Sequence, residues 1–198
     1  MRRVRAADEP LNLDRALPEI VDLLVSANSR DLAHIDPTSI LFIAGSARRD
    51  ATASIRPLLF SGGKRTDRDF TKPEIIVNGR LMRYEICLRP LFFRACNPQQ
   101  RLRVLAHELW HIDPSFDGSL APDRRHTITP TPETEPRVDR LVRALQTDLP
   151  RALSPLSHCG PGRIAAWLSR PPSRIPRHTQ IRVRYSEADL FTSTIEML

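Results

Sequence analysis

Apolar side chains recur every three to four positions in three stretches of the chain and alternate with polar ones elsewhere. Over 17–28, LPEIVDLLVSAN, Ile20, Leu23, Leu24 and Ala27 share one side of a helix, and Pro18 suits its first turn. SILFIA at 39–44 is short, apolar and partly β-branched, as a buried strand is. Residues 45–72 read as an exposed loop around one short segment near Ile55 to Phe60. Over 73–93 the Asn78-Gly79 pair predicts a type I′ hairpin turn. After it, Tyr84, Ile86 and Leu88 alternate with Glu85, Cys87 and Arg89, which predicts one buried face. NPQQRLRVLAHELWHI is the most regular helix pattern: Asn97 is a good N-cap, Pro98 a good first residue, and Leu102, Leu105, Leu109 and Ile112 form the apolar stripe. Pro114 ends it, and 113–136 reads as an ordered proline-rich loop. A second amphipathic helix follows at 136–145, with Val138, Leu141, Val142 and Leu145 on one side. Beyond Pro150, GRIAAWLSR reads as a short helix and TQIRVRYSE as a strand.

This order of elements predicts an α+β fold, with a short antiparallel or mixed sheet packed against the 98–112 helix. The 198 residues, 40% hydrophobic and 27% charged, suit one ordinary domain over 1–150 with 151–198 packing on it as an extension. No apolar run approaches the roughly 18–20 residues of a membrane span. The basic start lacks an apolar segment after it, so a cytoplasmic protein is expected. Cys87, Cys96 and Cys159 are isolated and form no C-x-x-C pair, which excludes a zinc ribbon and suits a reducing compartment. The net charge of +7 makes nucleic acid a possible partner. Yet the arginines are scattered, and only Lys64 and Lys72 are lysines, a skew that coding bias also produces.

The chemistry concentrates in RVLAHELWHIDPSFDG at 103–118. At about 3.6 residues per turn, positions four apart lie on one helix face, so His107 and His111 can offer two imidazoles to one zinc ion. Glu108 lies one residue further round, where a carboxylate serves a bound water as general base. The reaction implied is attack of water on a polarised carbonyl, and the substrate a peptide or protein. Two helical histidines that merely pack are the alternative. A catalytic zinc needs a third protein ligand and an open position. His126, fifteen residues after His111, is the first choice, because imidazole is the commoner ligand and the chain can fold back there. Asp117, at the metzincin offset of six, is the second. Pro114 stands where that pattern has glycine, and Asp117-Gly118 also reads as a turn. Asp113 or Asp117 could steady a ligating histidine, and Arg124 or Arg125 could face an oxyanion.

From YEICLRPLFF through RLRVLAHELWHIDPSFDG to RRH, over roughly 75–145, the chain resembles metallopeptidases found in phages and bacteria, small relatives of the SprT-like and other minimal zincins. The resemblance rests on the strand ahead of the helix, on His107, Glu108 and His111, and on the later His126. It implies a zinc-dependent peptidase with a small α+β core. It also implies that the strand nearest the site pairs with extended substrate; residues 83–89 are the candidate. The second reading is a zincin-fold regulatory or nucleic-acid-associated protein with restricted or lost proteolysis.

Overall fold

The computed structural model describes residues 9–46, 51–59, 70–122, 134–176 and 183–198. The first half runs β1 (Leu11–Asn12), α1 (Leu13–Ala27), α2 (Ser29–Leu32), β2 (Ile40–Ala44), β3 (Ala53–Pro57), β4 (Phe70–Thr71), β5 (Glu74–Val77), β6 (Arg80–Leu81) and β7 (Tyr84–Leu88). The second half runs α3 (Pro90–Arg94), α4 (Pro98–Trp110), α5 (Thr134–Arg143), α6 (Leu149–Leu156), β8 (Gly160–Trp167), β9 (Ile175–Pro176), β10 (Arg184–Tyr185) and β11 (Leu190–Met197). Helices and several small mixed or antiparallel sheets make this an α+β fold.

The sheet that positions the site has the order β2-β7-β3, with β2 parallel and β3 antiparallel to the central β7. One face of it, through Phe42, Ile86 and Leu88, joins the larger core with α1, α4, α5 and α6. The other face, through Leu41, Ile43 and Cys87, packs in a second cluster with Ile75 and Met82, flanked by Trp167 and Leu190. All five residues of β7 are therefore buried, Glu85 among them. This corrects the expectation of a single buried face: an apolar layer lies on each side. It also corrects the hairpin. Asn78 (φ 50°) and Gly79 (φ 76°) make the expected turn, but the hairpin closes only Val77–Arg80 and Ile76–Leu81. The Arg83 amide then bonds to Ser39 O, and the chain passes into the other sheet.

α1 begins four residues earlier than its pattern suggested. Asn12 accepts the Arg15 amide as N-cap, which leaves Pro18 inside the helix. The stretch expected as a helix, GRIAAWLSR, is strand β8. Gly162, Ile164 and Ala166 are buried in alternation with more open neighbours, and eight rungs join β8 to β11. Pairing with a distant strand overrode the helical preference of its alanines. The segment 179–187 lies partly outside the described residues; Arg184–Tyr185 pairs with β5. No described helix is long and apolar enough to cross a membrane.

Candidate metal centre

α4 is built as its sequence requires. Asn97 Oδ1 accepts the Gln100 amide at 2.9 Å, Gln100 Oε1 accepts the Asn97 amide at 2.8 Å, and Pro98 fills the first turn. Arg101, 1% exposed, fastens the helix to its neighbours: its guanidinium donates to the carbonyls of Phe92, Phe93, Leu156 and Leu198. A neighbouring face of α4 lines a cavity of about 610 Å³, whose further walls come from 51–55, Leu120 and Val138.

His107 and His111 open onto this cavity. His111 is the C-cap but keeps helical dihedrals, so the one-turn relation holds. Their Nε2 atoms are 3.1 Å apart and the rings are nearly perpendicular, at 82°. Two nitrogens each about 2.0–2.1 Å from one tetrahedral ion lie roughly 3.3 Å apart, so this donor pair fits a shared zinc ion. The same spacing serves an N–H···N hydrogen bond between the rings.

Glu108 lines the cavity too and is 7% exposed. Burial pushes its carboxyl up to about 7, against the pull of a hydrogen bond from the Ile55 amide and of the Arg89 charge. That amide identifies the edge of the site. In the β3–β7 ladder Arg89 N bonds to Thr52 O and Leu58 N to Arg83 O, so even-numbered residues of β3 bond inward. Ala53, Ile55 and Pro57 turn their polar backbone groups to the outer edge. The strand bordering the cavity is therefore β3, and β7, expected in that role over 83–89, is paired on both sides and unable to take it.

After His111 the chain makes a tight excursion and returns. Ile112 bridges to Leu120, and the Ala121 amide bonds to the His111 carbonyl at 2.9 Å. Asp113 accepts from the Ser115 amide and hydroxyl, and Asp117 from those of Ser119. Tyr84 reaches under the loop, its hydroxyl donating to Ser119 O and accepting from Gly118 N. Gly118 needs its φ of 94°, and a Cβ there would meet Leu59 Cβ at 2.6 Å. Asp117 is thus a turn residue. No group of three His, Cys, Asp or Glu side chains suited to a metal assembles among the described residues, so Asp117 does not join the imidazole pair. His126, Arg124 and Arg125 lie outside the described residues. Trp110, 6% exposed, packs in the core under the Arg137 guanidinium. Sequence reasoning flagged Ile55 only as part of a short segment and did not connect its amide to Glu108; no local signal links them.

A family model described as "Putative phage metallopeptidase" matches residues 11–146. No curated protein and no solved structure matches the chain.

Proposed function

Since the chain belongs to this phage metallopeptidase family, a family of hydrolases that use a metal ion, we propose that it is a zinc-dependent peptidase with His107, His111 and His126 as ligands and Glu108 as general base. The observation that carries the reading is the pair of facing Nε2 atoms, 3.1 Å apart on the wall of an open cavity, with a buried carboxylate beside them. His126 is favoured by tether length. Ala121 is hydrogen-bonded to His111 itself. Five residues of extended chain reach at most about 17 Å. Downstream, Val138 of α5 lines the same cavity, so both ends of the intervening segment flank the site.

Zinc held there would polarise the scissile carbonyl and acidify the attacking water. Glu108 takes that water's proton and passes it to the departing amine. Burial raises this carboxyl in the metal-free chain, and the charge of a bound ion would draw it back toward the carboxylate that a base requires. The Ile55 amide, on the outer edge of β3, favours the charged form of that carboxyl. The remaining outward groups of β3, the Ala53 amide and carbonyl and the Ile55 carbonyl, set the register of an extended peptide.

The test is Glu108→Gln, assayed with zinc content and a peptide library together. Zinc stays bound and the rate falls by roughly two to four orders of magnitude. A variant that cleaves at the wild-type rate refutes the general base.

A further inference from the structure

Among the described residues, the face of the β2–β7–β3 sheet turned away from the imidazoles carries an excess of positive charge. Three donors converge there on the buried Glu85 carboxylate: Arg56 Nη2 at 2.8 Å, Arg170 Nη2 at 2.9 Å and Trp167 Nε1 at 2.7 Å. Two guanidinium groups thus share one anion. Among the described residues Arg89, on the same face, bonds to the uncharged oxygens of Ser46 and Ser54. Arg56 Nε is buried without a hydrogen-bond partner. Arg56 also lines a cavity of about 140 Å³ with Lys72, Pro171 and Ser173, and no acidic side chain is among its described lining residues. One arginine would neutralise Glu85. The second, Arg170, has a side chain 53% exposed, and among the described residues its charge is left uncompensated.

Of this cluster, Arg56 belongs to β3 itself, and Arg170 reaches the same carboxylate that Arg56 holds. The Pro57 carbonyl faces that edge and accepts from Lys72 Nζ at 2.6 Å. An added strand turns alternate side chains to opposite faces of the sheet, so beside Arg56 one of them points toward the arginines. From Ile55, whose amide bonds to Glu108, to Pro57 is about 7 Å of strand. Building on the peptidase reading above, we infer that the Pro57 end of β3 is a subsite for an acidic side chain, formed by Arg170 and Arg56, and that the substrates are peptides carrying Asp or Glu within about two residues of the bond cleaved.

The experiment uses the zinc-loaded full chain and matched internally quenched peptides with Glu or Gln at each position flanking the cleaved bond. At one position Glu raises kcat/KM about fivefold over Gln, and added salt weakens the preference. Arg170→Gln, which leaves Arg56 to neutralise Glu85, brings the ratio of kcat/KM for the Glu peptide over the Gln peptide to about one, whatever it does to the absolute rates. Equal rates for Glu and Gln peptides at every position overturn the inference, as does a preference that survives Arg170→Gln. If no peptide is cleaved, it is the peptidase reading that fails. The subsite is then judged by fluorescence anisotropy of the same peptides on Glu108→Gln protein. Tighter, salt-sensitive binding of the Glu peptide supports it, and equal affinity overturns it.

Discussion

Asp117 and His126 divide the question of what completes the metal site, and the two residues predict different variants. The Asp117 carboxylate is occupied by the Ser119 amide and hydroxyl. Asp117→Ala therefore leaves metal content unchanged, while His126→Ala lowers it sharply; elemental analysis after gel filtration separates the two. Asp117 has a second signature. Hydrogen bonds, the Ser119 hydroxyl first, hold its carboxyl below the ordinary aspartate range, against a smaller upward push from burial. A carboxyl depressed in the folded state stabilises it above the unfolded value of about 4, and the effect is lost as pH falls through the lower folded value. In denaturant titrations the gap between wild type and Asp117→Ala is present at pH 7 and closes in acid. At this scale the spacing of His107, Glu108 and His111 was legible because one helical turn determines it. The Ile55 amide against Glu108 was not, because that contact depends on how β3 docks on α4.

Among elements, α4 was read from its caps. Asn97, Pro98 and Gln100 are local signals, and the structure uses all three as the sequence suggests. Asn97→Ala removes the side-chain acceptor from the Gln100 amide and costs about 1 kcal/mol of stability, measurable as a lower denaturant midpoint at unchanged slope. His107 lies in the last turn, so zinc content is expected to survive that change. The strands were less legible. β7 looked one-sided because Glu85 and Arg89 broke its apolar pattern, and only their partners in Arg56, Arg170, Trp167, Ser46 and Ser54 make them buried. β8 looked helical because a short run with two alanines carries both periods, and only β11 decides between them.

For the whole molecule, the arginine-rich composition changes meaning once the side chains are placed. Arg56 and Arg170 serve Glu85, Arg89 serves loop and strand oxygens, Arg103 pairs with Asp139, and Arg101 is a buried bolt. A share of the positive charge is thus engaged by the chain's own oxygens, Arg170 alone sharing an anion that Arg56 already holds, which is why net charge alone was a weak guide to partners. Arg101 joins α4 to α3, α6 and the end of β11 through four carbonyls. Arg101→Met leaves those acceptors buried without their donor and costs roughly 2–4 kcal/mol. Zinc should offset part of that loss. A ligand that binds only the folded state adds about 2.7 kcal/mol at a hundred times its Kd. Thermal unfolding with and without zinc therefore gives four values. Zinc raises Tm in wild type and in Arg101→Met alike, because the four carbonyls that Arg101 holds lie outside the cavity that the imidazoles line. In His107→Ala the apo protein keeps the wild-type Tm, since His107 is only half-buried, but the zinc increment disappears. A zinc increment that persists in His107→Ala would place the metal elsewhere and remove the ground for the peptidase reading.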